Sequence, residues 1–542
     1  MRVVWFSLSV LCLWVLYANV SPDFTPIRSE LTNARGFARG ILNLVVLPAN
    51  ESFGRMPAWS FVMCGALLVV LGGITPAVRH VLLAKVRLKP DPTWLVMGLL
   101  TAVALSPYAT PYRVVLAPRT FALCLVLLCA ARAAAVMPSL ARRWMPIVSG
   151  ALGAAFFASA MLQTMAIYDG NYSGFIHLSR DVASRAPFLA ERPDLAQSLT
   201  VYDAGYDGQF MYLMAFDPFL QRFDDRPQEY RAFIDNPPYR YGRIGFSLLT
   251  TVVSAGRPER FPAAMMWLII AAHFALAAGL ASLAARHGMF PLAALLYLAI
   301  PAFTSSLMSA LPEALAAAGL VLGLLCWETR RPVLAAAAFG AALLVRETGI
   351  VLAVVIVLAG SRQDFKRSLV IVIASLLPAC AWRLFVASRL FADFGWAAMV
   401  PNPGDLGVPF AGLLHLWQAG VSRIQPAPEI AGAMVFPLIL TAALVLALAL
   451  VYTRPGPIEI AAVVYAGIAV SLNYGKIWSH LPSGERGTFE LFLCLLLLLL
   501  ESRGRPAWIR QTLAGFFVSL AAYTFFLAPD AATSRAALLL IR

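Results

Sequence analysis

Apolar runs of roughly 18 to 24 residues recur from one end of this chain to the other, and few folds tolerate them. A helix of about 20 residues crosses the ~30 Å hydrocarbon core of a bilayer. In lipid it satisfies its own backbone hydrogen bonds, which an open strand edge or a coil does not. Of the residues, 60% are hydrophobic and only 13% charged, and the mean hydropathy is +0.76. Soluble domains carry about 25% charge. The sequence therefore predicts an all-α polytopic membrane protein.

Spans are expected over residues 3–20, 57–77, 92–110, 117–137 and 145–167, then 262–284, 289–308 and 313–329. Further spans are expected over 367–390, 429–452, 457–473, 488–501 and 510–528, giving about 13 in all. The apolar stretch 332–360 is different: Arg346-Glu347-Thr348 interrupts it, and both flanks are basic (Arg330 and Arg331; Arg362, Lys366 and Arg367). Two half-helices returning to one side fit this pattern. Arg142, Arg143, Arg330, Arg331, Arg454, Arg503, Arg505 and Arg510 all fall on the same side of the alternation. The positive-inside rule makes that side cytoplasmic. Loop 168–261 is then extracytoplasmic, as are 391–428 and 474–487. The net charge of +14 is explained by topology and calls for no nucleic acid. The first apolar run reads as a signal anchor, because no convincing cleavage site follows it. The seven cysteines lie in or beside spans without metal spacing and read as packing residues.

Chemistry concentrates in the first large loop. Between Asp169 and Asp235 lie 11 of the 28 acids, in under one seventh of the length. Asp169-Gly170 directly follows a span and reads either as a turn ending the helix or as a second acid near a site. Tyr206-Asp207-Gly208-Gln209 is followed by an aromatic run through Phe216 that is too short to span. That run is expected to lie in the membrane interface, holding Asp207 at headgroup depth. There a carboxylate could take the proton of an attacking hydroxyl, and partial burial would raise its pKa toward that task. Asp203 and Asp217 accompany it. Arg240 and Arg243, in PPYRYGR, could hold phosphate oxygens or simply snorkel to headgroups. Arg346 and Glu347 could neutralise one another, or Arg346 could bind lipid phosphate. Glu313 reads as a helix-start carboxylate. Arg383 lies in a span and requires a partner. Arg486, with Lys476, His480 and Glu485, is either a phosphate ligand or an interface anchor. No P-loop, dinucleotide fingerprint or HExxH occurs.

YDGQFMYLMAFDPF, then YRYGRIGFSLL and later VRETG, resemble bacterial members of the GT-C superfamily of integral-membrane glycosyltransferases, in a mannosyltransferase-like branch linked to cell-surface glycopolymers. The matched motifs cover about 50 residues plus the Arg346 region, and the span layout agrees over 145–528. The resemblance implies a GT-C-like module over 141–542, inverting transfer from a polyprenyl-phosphate sugar, and an outer-face location at the inner membrane. It implies a glycan or glycolipid acceptor and contact with membrane lipids. Asp207 would be the general base, with Asp169 the other candidate. Gln209, Tyr212, Asp217, Arg240, Tyr241, Arg243, Arg346, Glu347 and Arg486 would line the substrate and its lipid phosphate. No firmly bound cofactor is implied, and help from a divalent ion is left open. The chain departs from the family in placing its acidic loop after the fifth span, so residues 1–140 form an N-terminal addition of about four spans. It also has Ser247 where the family favours proline. A transporter or flippase of lipid-linked saccharides, or a polymerase or ligase of surface glycans, is the competing reading.

Overall fold

The computed structural model describes residues 139–526, apart from residue 224 and residues 359–364, 399–405, 415, 417–426, 474–476 and 479–480. The first four expected spans, Lys476 and His480 lie outside the described residues. What is described is almost wholly helical. The sole sheet among those residues is a two-residue parallel ladder, β1 (Leu178–Ser179) against β2 (Val201–Tyr202).

Eight of the nine remaining expected spans each correspond to one helix. These are α1 (Ser139–Ile167), α5 (Phe261–Arg286), α7 (Glu313–Glu328), α10 (Phe365–Phe394), α11 (Ala427–Thr453), α12 (Pro457–Ser471), α14 (Phe489–Leu500) and α15 (Ala507–Phe526). Among the described residues, four stretches are long and apolar enough to cross a membrane: Arg143–Leu162, Pro258–Arg286, Ser368–Ala398 and Val435–Thr453. The expected span 289–308 is not one α-helix. It is a 3₁₀ segment, Pro291–Ala299, then α6 (Pro301–Leu307), with Ile300 extended between them. Pro301 has no N–H to carry the ladder across that point and disfavours a helical residue before it.

The interrupted apolar stretch forms α8 (Pro332–Val345) and α9 (Ile350–Leu358), with Arg346 extended between them at φ −155° and ψ 114°. The Trp327 indole lies 3.5 Å from Ser368 Oγ, so α10 starts beside the start of α8. Gly340 of α8 faces Ser375 and Pro378 of α10. The two helices therefore run the same way, and α9 carries the chain back between them, as the paired basic flanks predict.

Small residues allow close approach between helices, the usual device where lipid supplies no hydrophobic drive. A Cβ on Gly319 of α7 would stand 2.9 Å from Ala342 Cβ and 3.1 Å from the Ala338 carbonyl oxygen of α8. Helices α1 and α5 are antiparallel, because Tyr172, just past α1, meets Trp267 early in α5. The polar segment 168–261 thus leaves and re-enters at one end of the bundle. The arginines following α5, α7 and α14 gather at the other end, where Arg286 meets Glu328 and Arg503 meets Gly288.

One expectation fails here. Helix α2 (Gly208–Met214) does not lie on a membrane surface: all seven of its residues are buried in protein. It is buried on every side, with the carbonyl of Gln209, its one amide side chain, hydrogen-bonded within the protein, and such a helix is a core element. Ser247 and Thr251 of α4 (Gly245–Val253) donate to the carbonyls of Met211 and Ala215, and Phe216 packs on Phe261. At the close α7–α8 contact, Gly319→Leu will destabilise the detergent-purified protein by about 1–3 kcal/mol through overpacking. Gly515→Ala, with nothing within 4 Å of the new Cβ, will not lower the melting temperature.

Candidate functional site

At the loop end of the bundle, acids and arginines from six parts of the chain alternate in one connected network. Asp207 immediately precedes α2, with no capping bond from its side chain. Its Oδ1 accepts from Arg240 Nη2 at 2.8 Å and its Oδ2 from Arg486 Nη1 at 3.1 Å. Arg240 sits on α3 (Pro237–Tyr241), a short helix that Pro237 starts and that Asn236 caps by accepting from the Tyr239 amide. Its fork also takes Asp235 at 2.8 Å through Nε and through Nη2. Arg486 sits on α13 (Leu481–Gly487), and its Nε donates to Glu313 Oε1 at 2.8 Å. The same oxygen receives Arg346 Nη1 at 3.3 Å. Arg346 then donates from Nε to Glu490 Oε1 at 2.8 Å and from Nη2 to the Arg486 carbonyl at 3.1 Å. Thr348 also bonds Glu490. Beside this chain, Arg243 Nε donates to Glu347 Oε2 at 2.6 Å.

Exposure is uneven along the chain. The side chains of Glu313 and Glu490 keep 2% and 4% of their surface, whereas Asp207 keeps 30%. Asp235 is half exposed but sits at the rim, held by Arg240 alone among the described arginines. Asp207 is thus the carboxylate that is both embedded in the network and reachable. Tyr206 adjoins it, accepting from Arg486 Nη1 at 2.9 Å and lying 2.8 Å from Ser483 Oγ.

The electrostatics correct the expected pKa. Burial alone pushes the Asp207 carboxyl up, but the guanidiniums of Arg240 and then Arg486 outweigh it and hold it well below the usual carboxylate range. Free of ligand, Asp207 is a firmly ionised, weak base. Its paired form stabilises the fold fully above the unfolded pKa of about 3.9, and that contribution fades as pH falls toward the folded value.

The glycine after Asp207 has a steric reason. A Cβ on Gly208 would lie 2.3 Å from the Ser309 carbonyl oxygen and 2.9 Å from that of Ile176. Backbone on both sides leaves room for no side chain, so Gly208 lets the start of α2, and with it Asp207, pack against the turn between α6 and α7.

The structure brings together Asp207, Arg240, Arg486 and Arg346, with Arg243 and Glu347 beside them. Four other expected residues take scaffold roles. Gln209 is buried, with its carbonyl accepting from Ser179 N and Oγ at 3.0 and 3.1 Å. Tyr212 is fully buried against Phe216 and Phe261. Asp217 accepts from the amides of Gln221 and Arg222 and from the Tyr230 hydroxyl. The Tyr241 hydroxyl donates to the Asp217 carbonyl at 3.1 Å. Asp169 is exposed, with φ 52°, in the turn that closes α1; the turn alternative describes it. The arginines also differ from expectation, because each of Arg240, Arg243, Arg346 and Arg486 already has a carboxylate partner. Arg383 finds its partner in the Pro238 carbonyl at 3.0 Å.

Glu490 is a site residue that sequence reasoning passed over, and Glu313 does more than cap. The available signal was cost: Arg243 and Arg346 both need acids at their depth, Glu347 can serve only one of them, and Glu490 sits near the start of the apolar run 488–501. Comparison of the chain with family models, curated proteins and solved structures finds no match. Glu313→Ala strips two buried guanidiniums of a shared partner and will lower unfolding free energy by about 3–5 kcal/mol. Denaturant unfolding in detergent measures it, and a loss below about 1 kcal/mol would contradict the bridging role.

Proposed function

We propose that this protein is a membrane-embedded glycosyltransferase. It moves a sugar from a polyprenyl-phosphate-linked donor to a cell-envelope glycan or lipid acceptor, on the outer face of the bacterial inner membrane. One observation carries the reading: Asp207, a reachable carboxylate, stands between two arginines at the polar end of an apolar helix bundle. The arginines that gather at the other end support placing that end in the cytoplasm.

The chemistry follows from competition for the arginines. A donor phosphate attracts guanidinium by the same forked, charge-assisted bonds that a carboxylate uses. Drawing Arg240 and Arg486 partly onto the phosphate leaves Asp207 with less compensating positive charge, and its basicity rises. Asp207 then accepts the proton of the acceptor hydroxyl as that oxygen bonds to the anomeric carbon. The bond from that carbon to the phosphate oxygen breaks, and polyprenyl phosphate leaves with the electron pair, held by the arginines. Arg383, which makes no ion pair among the described residues, adds a further cation near α3.

A transporter of lipid-linked saccharides is the second reading, and the broken α8–α9 pair favours it. Asp207→Asn separates the two, since the amide keeps the shape and cannot take the proton. Purified protein in lipid, given a panel of radiolabelled polyprenyl-phosphate sugars and an envelope lipid extract, is expected to transfer from one donor and not from nucleotide sugars. Asp207→Asn should lower the rate by about 10²–10⁴-fold. Wild-type transfer rates in that variant would sink the base assignment, and donor flipping without transfer would favour the transporter.

The pH profile tests the competition directly. Because Asp207 is ionised in the free enzyme, kcat/KM should show no acid limb from it between about pH 5 and 8. In the donor complex its pKa climbs, so the acid limb of kcat should lie at higher pH than that of kcat/KM. Coincident limbs would mean that the arginines never leave Asp207.

A further inference from the structure

Three helix ends meet at the face opposite Asp207. His287 follows α5, Glu328 ends α7 and Glu501 follows α14. His287 Nε2 lies 3.2 Å from Glu328 Oε1 and 3.9 Å from Glu501 Oε1. One nitrogen and one oxygen from each glutamate all fall within 4.8 Å of one another. The three side chains keep 31%, 14% and 24% of their surface, so an ion can reach them.

Hydrogen bonding alone suits this arrangement poorly. An imidazole nitrogen carries at most one proton, yet two carboxylates converge on the same Nε2. The neighbouring arginines offset the repulsion only in part. Arg286 takes the outer oxygen of Glu328, Oε2, at 3.2 Å, and leaves Oε1 facing inward. Arg505 is paired with Glu459, and Arg503 donates to the Gly288 carbonyl at 2.8 Å. Glu501 has no arginine ion pair among the described residues. A cation among the three groups would satisfy all of them at once.

We infer that His287, Glu328 and Glu501 bind a divalent transition-metal ion of the zinc class, His287 through Nε2 and each glutamate through one oxygen. Imidazole nitrogen with carboxylate oxygen is a donor set for zinc and its neighbours rather than for calcium or magnesium. Zinc bonds of about 2.0–2.2 Å place tetrahedral ligands about 3.4 Å apart, and the two separations to Nε2 lie either side of that value. Water completes the shell. The ion ties the ends of α5, α7 and α14, and the last two begin at the Asp207 network with Glu313 and Glu490. Its role is to clip the frame of that site from the far end, without touching the reaction.

The test uses the full chain in detergent, stripped with chelator and dialysed against buffered micromolar zinc. One zinc per chain is expected by elemental analysis, with a higher melting temperature than the stripped protein. Cobalt in its place should give visible d–d bands. Glu501→Gln, nearly isosteric, and His287→Ala should each weaken zinc binding at least about tenfold and change or abolish those bands. Size-exclusion profiles show that the variants remain folded. Asp207→Asn should bind zinc as the wild type does. No retained zinc, or equal retention by wild type, His287→Ala and Glu501→Gln, would overturn the proposal and leave the three groups as an ion-pair cluster.

Discussion

Glu313 receives one guanidinium from α13 and another from the break after α8, and the loop end of the molecule depends on that bridge. A single buried carboxylate in a bilayer-spanning bundle is costly to ionise. Two arginines make the ionised form favourable, and each arginine then demands a further acid. Asp207 answers Arg486, and Glu490 answers Arg346. Arg240 and Asp235 extend the chain to the rim. Net contributions of such buried pairs are small, because desolvation offsets attraction, yet removing one member leaves an uncompensated charge. The network therefore serves less to raise stability than to fix which side chains meet.

That logic bears on reactivity. Two arginines depress the basicity of Asp207 in the free protein, which alone would disqualify a general base. On the proposed reading, an anionic substrate would reverse the effect by competing for the same guanidiniums. On that reading the base would be strong only while a phosphate-bearing donor is bound, which would protect against proton transfer in its absence. Sequence reasoning expected burial to tune this carboxylate. Burial does push in the expected direction, and the two arginine charges overcome it.

Much of this was legible in the chain. Residue spacing located the apolar helices, and the doubly basic flanks of 332–360 located the reversal at Arg346. Asp207, Arg240 and Arg486 stood out because charge is expensive beside lipid. The rest depended on distance in space. Nothing local distinguishes Phe210–Phe216 lying on a membrane from the same residues buried in protein; Phe261 and Ser247, far along the chain, decide it. Gln209, Tyr212 and Tyr241 sit in the same motifs as Asp207 and Arg240, but side chains turn by about 100° per residue along a helix, so neighbours in one motif meet different surroundings. Glu490 could have been found by asking which acid balances Arg346. Pro301, which splits an expected span, was visible as a residue but not as a break, since proline is tolerated in many membrane helices.

The same network weighs between the two functional readings. A transporter must open its two faces in turn, usually by rocking one group of helices against another around a central site. Here the group around Asp207 joins the loop before α2, α3, the start of α7, the end of α8, α13 and the start of α14. Rocking α7 against α13, or α8 against α14, would part Glu313 from Arg486 or Arg346 from Glu490 in each cycle. Breaking one buried pair costs about 3–5 kcal/mol unless a new partner replaces it. A glycosyltransferase needs no such movement; it gains from a frame that keeps base and phosphate-binding arginines in register. The cross-links that burden a transporter are those that an enzyme site requires, and this asymmetry sets the order of the two readings.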